Sequence, residues 1–154
     1  MRKLIGSDLA RMAAMVCALA LAACDSTEMV DDHHEPVGAE LVISGRVVAS
    51  YDADTQKWTG ELEVDVGEET AHIAVRFVDD EGDPIEEDDA YLEVDIEDES
   101  IAEFEQDTPG EFGGHLHGVS EGETEVTFKL MHGEVGEGHA DFVTQPVHAH
   151  VHAQ

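Results

Sequence analysis

The sequence predicts an all-β protein, in which an antiparallel β-sandwich follows an N-terminal leader and a flexible tether. Short segments that alternate between apolar and polar residues are separated by glycine, proline and aspartate, which is the pattern of strands and turns. No segment after residue 24 repeats its apolar residues with the 3.6-residue period of a helix. Apolar residues make up 42% of the 154-residue chain, which is enough for a buried core.

The alternation defines about eight strands, spaced as in antiparallel sandwiches. Leu62, Val64 and Val66 alternate with acidic residues, so one face of this strand is expected to be buried and the other solvated. The acidic segment 79–84 contains glycine and ends in Pro84, which predicts a turn. In chain order, the expected strands are 41–49, 62–66, 73–77, 92–96, 101–104, 112–119, 124–132 and 139–143.

Residues 1–23 have the pattern of a secretory signal peptide. Basic residues precede an apolar run over 12–23, which is shorter than the roughly 20 residues that span a bilayer as a helix. The segment Leu21-Ala-Ala-Cys24 resembles the lipobox of bacterial lipoproteins. This resemblance implies cleavage before Cys24, lipidation of its sulfur, and a lipid-anchored location in the bacterial cell envelope, facing the periplasm or the cell surface. An ordinary signal peptide with a chance cysteine is the alternative.

Three parts are expected after the leader. Residues 24–39 are polar and acidic and contain Pro36 and Gly38, so they are expected to form a flexible acidic tether. Residues 40–145 contain the alternating segments and are expected to form the sandwich domain. Residues 146–154 are expected to be a histidine-rich C-terminal strand or tail.

Two segments in the second half of the chain resemble bacterial Ig-like domains of the group 2 type. They are 99–104, with the sequence ESIAEF, and 118–128, with the sequence GVSEGETEVTF. The resemblance implies an Ig-like β-sandwich and an extracytoplasmic setting. A fold of this kind serves many functions, so the resemblance implies no activity.

The chain carries 37 acidic and 7 basic residues, which give a formal charge of −30 with histidine neutral. Such a polyanion repels phosphate backbones, so the charge argues against nucleic acid as a partner. Two cysteines, one in the leader and one in the lipobox, provide neither a disulfide scaffold nor a thiolate zinc site. The acidic runs 79–83 and 86–89 lack the spacing of an EF-hand, and we interpret them as solvated surface.

The ten histidines are the most informative residues for function, because most of them occur in close pairs or rows. Two side chains at positions i and i+2 of a strand leave the same face roughly 6.5–7 Å apart, so their imidazoles can converge on one metal ion. His132 and His139 bracket a glycine-rich segment, and a hairpin there would place them opposite each other. The candidate metal ligands are His115, His117, His132, His139, His148, His150 and His152.

Imidazole and carboxylate ligands without a thiolate favour Zn²⁺, with Cu²⁺ and Ni²⁺ as alternatives. One expected assembly joins the pair His115/His117 to the pair His132/His139, or to the C-terminal histidines if they form a strand. His72 has no histidine neighbour in sequence, and we interpret it as a solvated residue on the exposed face of its strand.

No enzyme motif accompanies these histidines, since the chain has no HExxH sequence, nucleophile elbow or phosphate-binding loop. We therefore expect a protein that is not an enzyme. The favoured hypothesis is a membrane-anchored lipoprotein that captures a transition metal and passes it to a metal transporter or an outer-membrane receptor. The alternative is a structural or adhesive Ig-like module whose histidines have no specific metal role.

Overall fold

A computed structural model describes residues 35–154. The expected leader, the expected lipidation site Cys24 and the pair His33-His34 lie outside the described residues. The described residues form eleven strands and no helix, so the predicted all-β class is confirmed. Accordingly, this part of the chain contains no helix of the length and apolarity needed to cross a membrane.

The strands make two sheets that pack face to face as a β-sandwich. One sheet has six strands in the order β3-β2-β1-β5-β8-β7. The other has the order β10-β9-β11-β4, with β6 paired to the remaining side of β9. The strands are β1 (Gly38–Ile43), β2 (Arg46–Asp52), β3 (Lys57–Thr59), β4 (Leu62–Asp65), β5 (Ile73–Val78), β6 (Ala90–Ile96), β7 (Ala102–Glu105), β8 (Gly113–Gly118), β9 (Gly122–His132), β10 (His139–Val143) and β11 (Val147–His152).

One pair of neighbouring strands is parallel, although the expected sandwich was antiparallel. β4 and β11 run in the same direction, with Leu62 beside Ala149 and Val64 beside Val151. The remaining strand pairs of the described residues are antiparallel. Alternation of apolar and polar residues has the same period in both kinds of pairing, so it could not reveal the direction of β4 relative to β11.

The expected strand over 41–49 is two strands joined by a tight hairpin turn. Ser44 and Gly45 both have positive φ angles, 51° and 77°, and the turn pairs Ile43 with Arg46. Two consecutive residues with positive φ make the kind of turn whose twist matches that of a hairpin. Serine is uncommon at a positive φ angle, so Ser44 does not signal a turn in the sequence. The apolar residues on both sides of it therefore predict one continuous strand.

The sandwich extends beyond both expected boundaries of the domain. β1 begins at Gly38, inside the expected tether of 24–39, and Ala39 is fully buried. The segment expected as a C-terminal strand or tail forms β11, which lies between β9 and β4. Its alternation buries three side chains and exposes three histidines, so the last residues of the chain are part of the core. The buried residues of β11 are Val147, Ala149 and Val151.

The core lies between the two sheets and contains side chains from both. Phe77 of the six-stranded sheet and Phe128 of the five-stranded sheet are its largest fully buried residues. Phe142 contacts Phe77 edge to face at a ring-centroid distance of 5.9 Å. Burial of an aromatic or aliphatic side chain of this kind contributes about 1.5–3 kcal/mol.

A short break separates β10 from β11 along the same side of β9. At this break the Thr144 N–H donates to the Phe128 carbonyl at 3.0 Å, and the Thr144 hydroxyl accepts from the Phe128 N–H at 3.2 Å. The Trp58 indole N–H donates to the Gln145 carbonyl at 2.6 Å. Pro146 has no N–H to satisfy. These bonds allow β9 to pair with β10 and β11 in succession.

Truncation after Gln145 is expected to abolish cooperative folding. It removes three buried side chains and the strand that links β4 to β9. Thermal unfolding followed by circular dichroism should show no sigmoidal transition, whereas removal of the exposed Ala153 and Gln154 alone should change Tm by no more than about 2 °C. A cooperative transition in the truncated protein would contradict this role of β11.

Candidate metal centre

The eight histidines of the described residues are partly or fully exposed, and they lie in three places on the sandwich. Two lie at the end of the β9–β10 hairpin, three lie on or beside the exposed face of β8, and three lie on the exposed face of β11. Seven of the eight have a ring nitrogen within 4.0 Å of a carboxylate oxygen, and the eighth is His148.

The β9–β10 hairpin brings His132 and His139 together. The strand register pairs these two residues directly, and their ring centroids lie 5.7 Å apart. The loop between them contains Gly133 and Gly136 at positive φ angles, 111° and 84°. A Cβ atom on Gly138 would lie 2.4 Å from the His132 carbonyl oxygen, so the chain closes tightly here because that residue is a glycine.

Asp141 completes the link between the two histidines. The register of β10 shifts between Ala140 and Phe142, so Asp141 has no partner residue on β9. Such an irregularity redirects a side chain. One Asp141 oxygen, Oδ1, lies 3.1 Å from His139 Nε2, and the other, Oδ2, lies 3.5 Å from His132 Nδ1. Glu87 Oε2 approaches the same His132 nitrogen at 3.5 Å.

We call these four residues, Glu87, His132, His139 and Asp141, the hairpin cluster. The ligand atoms of a tetrahedral zinc ion bound at 2.0–2.1 Å lie about 3.3 Å from one another. The nitrogen–oxygen distances of 3.1, 3.5 and 3.5 Å lie around this value. Charge-assisted hydrogen bonds between nitrogen and oxygen are shorter, about 2.7–2.9 Å. One ligand atom each from Glu87, His132 and Asp141 lies within 4.8 Å of the other two, whereas His139 faces the second oxygen of Asp141 and must turn to share an ion with them.

His115 and His117 lie on either side of the buried Leu116 and leave the exposed face of β8. The Nδ1 atom of His115 lies 2.9 Å from the Thr70 carbonyl oxygen. His117 Nε2 instead lies 3.4 Å from a Glu105 carboxylate oxygen. The two histidines share a face, as their spacing predicts, but each faces different partners.

The expected assembly of His115/His117 with His132/His139 is not formed. β8 belongs to the six-stranded sheet, whereas β9 and β10 belong to the other sheet. Within residues 35–154, no hydrogen bond, ion pair or ring contact joins the pair His115/His117 to the pair His132/His139. Spacing along a strand indicates which face a residue occupies, but it contains no information about which sheet the strand joins.

The histidines of β11 form an evenly spaced row. Neighbouring ring centroids of His148, His150 and His152 are 6.4 Å apart. His150 Nε2 lies 3.1 Å from Glu61 on one side, and its Nδ1 lies 3.1 Å from Glu123 on the other. Because β11 lies between two strands with acidic residues beside it, the imidazoles of His150 and His152 are paired with carboxylates across the sheet.

Sequence analysis missed His72 as a partner of His115. The β5–β8 register pairs Ile73 with Gly114, so the next step of the same register places His72 opposite His115. Their rings are 5.4 Å apart in an edge-to-face arrangement. The sequence separation hid this contact, because only the pairing of β5 with β8 makes the two residues neighbours.

An acidic group at the turn after β5 has a local structural explanation. Asp79 Oδ1 accepts hydrogen bonds from the backbone N–H groups of Glu81 and Asp83, both at 2.9 Å. A carboxylate that bonds to the backbone two residues later stabilises turns of this kind. The ligand atoms of these three residues lie within 4.8 Å of one another, and the turn accounts for that proximity.

No protein-family model and no curated protein matches the chain. Among solved structures, the fold is similar to the crystal structure of domains 4 and 5 of the S-layer protein SbsC, with a TM-score of 0.44 and 20% sequence identity. The similarity covers 60% of this chain and 47% of that structure. The chain therefore spans about half the length of the structure that it matches.

The surroundings of His115 favour its protonated form. Its bond to the Thr70 carbonyl raises the pKa of the imidazole above its ordinary value, partial burial opposes this effect, and the charges of Asp107, Glu69 and Glu105 reinforce it. Because the folded pKa exceeds the unfolded one, the resulting stability is fully present below about pH 6.5 and is lost as the pH rises through the folded pKa.

We therefore expect the substitution His115→Gln to lower Tm more at about pH 5.5 than at about pH 8.5. The comparison uses metal-free protein with a chelator present, and an NMR titration of the His115 ring should give a midpoint above about 6.5. Equal losses of Tm at both pH values would contradict the raised pKa of His115 in the folded protein.

Proposed function

We propose that this protein is an extracytoplasmic, lipid-anchored lipoprotein that binds a transition metal, with zinc as the best match, and passes it to a transporter or receptor. The single observation that carries the proposal is the hairpin cluster. One ligand atom each from Glu87, His132 and Asp141 lies there within 4.8 Å of the other two, and His139 Nε2 lies 3.1 Å from the second oxygen of Asp141.

The donor atoms favour zinc over the common hard cations. Calcium and magnesium prefer oxygen ligands alone and usually six or more of them, whereas imidazole favours zinc, copper and nickel. Zinc accepts mixed nitrogen and oxygen ligands without a geometric preference of its own, whereas Cu²⁺ favours a tetragonal arrangement. The cluster also needs no thiolate, in agreement with a chain whose two cysteines lie in the leader and the lipobox.

Exposure of the hairpin cluster supports transfer of the ion and not permanent storage. The His139 side chain is 75% exposed and that of His132 is 41% exposed. A partner protein with its own ligands can therefore reach the ion directly. The formal charge of −30 concentrates cations near the surface, which favours capture.

Lipidation at Cys24 would keep the captured ion at the membrane. Two or more acyl chains anchor a protein stably, whereas one chain gives only marginal binding. The acidic segment between Cys24 and β1 supplies a spacer, so the sandwich can meet a membrane-embedded metal transporter or outer-membrane receptor. Incorporation of labelled palmitate, and its loss in Cys24→Ser, tests this part of the proposal.

A second candidate function is an Ig-like interaction module, favoured by a groove between the edge strands β6 and β7. The groove has a volume of about 700 Å³ and is lined by both apolar and acidic side chains. An extended basic segment of another protein has the complementary charge for the acidic residues. The apolar lining includes Val94, Ile96 and Phe104, and the acidic lining includes Glu99, Glu103 and Glu105.

Zinc binding at the hairpin cluster is tested by calorimetric titration of the purified, chelator-treated protein at about pH 7.5. The double change His132→Ala with His139→Ala removes both imidazole ligands, so zinc affinity at this site should fall by about a hundredfold or more. His148→Ala is the matched control, because it removes an exposed imidazole that lies on another strand. This control should change the affinity by less than about twofold.

The identity of the bound nitrogens provides an independent readout. NMR of the imidazole rings should show zinc at Nδ1 of His132 and at Nε2 of His139, the atoms that face the carboxylates. Unchanged binding in the double variant, or only diffuse millimolar binding in the natural protein, would overturn the metal proposal. The interaction module would then be the function that the structure favours.

A further inference from the structure

The exposed face of the six-stranded sheet, with the loop between β7 and β8, holds a second group of mixed donors that shares no residue with the hairpin cluster. We infer that His72, Asp107, Glu111 and His115 form a second metal site. We call these four residues the face cluster. One ligand atom each from His72, Asp107 and Glu111 lies within 4.8 Å of the other two, and His115 Nε2 lies 3.9 Å from Asp107 Oδ2.

His115 is oriented as a metal-binding histidine is. A ligating imidazole usually donates its second ring N–H to a backbone carbonyl or a carboxylate, which fixes both its tautomer and the direction of its ring. The Thr70 carbonyl lies 2.9 Å from His115 Nδ1 and accepts that hydrogen. The lone pair of the neutral ring is then on Nε2, the atom that faces Asp107.

The position of the His72 imidazole depends on the glycine at position 113. A Cβ atom at Gly113 would lie 2.4 Å from His72 Cε1, so any side chain there would displace the imidazole. Gly113 lies beside Ala74 in the β5–β8 pair, and its lack of a side chain leaves space for the ring next to His115. The result is a pair of imidazoles that are contributed by two neighbouring strands.

The carboxylates come from the loop between β7 and β8, which is held in shape by its own hydrogen bonds. The Asp107 N–H donates to Glu111 Oε1 at 2.8 Å. The Gln106 amide donates to the Glu111 carbonyl at 2.7 Å and to the Leu92 carbonyl at 3.2 Å, which attaches the loop to β6. These bonds limit the loss of conformational freedom when both carboxylates approach a common ion.

Three of the donors, His72, Asp107 and Glu111, already have ligand atoms within 4.8 Å of one another, and His115 must turn further to join them. The His72 Nε2 to Glu111 Oε1 distance is 4.0 Å and the His115 Nε2 to Asp107 Oδ2 distance is 3.9 Å. Ligand atoms around tetrahedral zinc lie about 3.3 Å apart, so each pair must close by roughly half an ångström or slightly more. His72 and Asp107 are exposed, and rotation of their side chains can supply this movement.

This inference stands independently of the proposed function, because the two clusters share no residue and their histidines belong to different sheets. The experiment therefore uses a protein in which the hairpin cluster is already removed by His132→Ala with His139→Ala. Calorimetric titration of this chelator-treated variant with zinc should still show one saturable site. Adding His72→Gln should weaken that site by about tenfold or more.

The matched control is His117→Gln, which changes a histidine on the same strand and face as His115. His117 faces Glu69 and Glu105 and lies outside the face cluster, so its loss should change zinc affinity by less than about twofold. Circular dichroism of each variant verifies that the fold is retained. His72 is 45% exposed, so the glutamine is expected to be tolerated there.

A ring NMR spectrum separates metal binding from a purely structural role. On addition of zinc, Nε2 of both His72 and His115 should show the shift of a bound nitrogen, while Nδ1 of His115 keeps its hydrogen. Equal effects of His72→Gln and His117→Gln, or absence of a saturable site in the starting variant, would overturn this inference. A saturable site here without zinc at the hairpin cluster would instead overturn only the proposed function.

Discussion

The pairing of β9 with three other strands is the interaction on which the rest of the structure depends. β6 lies along one side of its second half, while β10 and β11 lie in succession along the other side. The same strand buries Phe128 in the core. Because the core fixes the register of β9, it also fixes where His132 emerges opposite His139. The spacing of the candidate metal ligands is therefore determined by packing within the sandwich.

Much of the fold could be predicted from the sequence, because alternation depends only on which face of a strand is buried. The segments around Leu62, Ile73 and Leu92 were located correctly for this reason. The turn at Ser44-Gly45 and the parallel pairing of β11 were missed. The first depends on an uncommon backbone angle, and the second depends on contacts between residues at opposite ends of the domain, which no local pattern contains.

The candidate sites were predictable only in part, because a histidine is visible in the sequence but its partner is not. The hairpin placed His132 beside His139 through a glycine-rich loop that could be recognised. Glu87 comes from a separate acidic run, and His72 meets His115 only through the β5–β8 pairing. Because the chain has so many acidic residues, the sequence does not indicate which carboxylates belong to the candidate sites. A metal site built across strands is thus a property of the register more than of a motif.

Two features of the surface combine in the proposed role: a high negative charge that attracts cations, and exposed imidazoles that select a transition metal among them. The most direct test is a crystal structure of the zinc-loaded protein with anomalous scattering measured at the zinc absorption edge. We predict an anomalous peak at the hairpin cluster, with Nδ1 of His132 and Nε2 of His139 bound at about 2.0–2.1 Å. Full zinc loading without a peak between these two nitrogens would contradict the account.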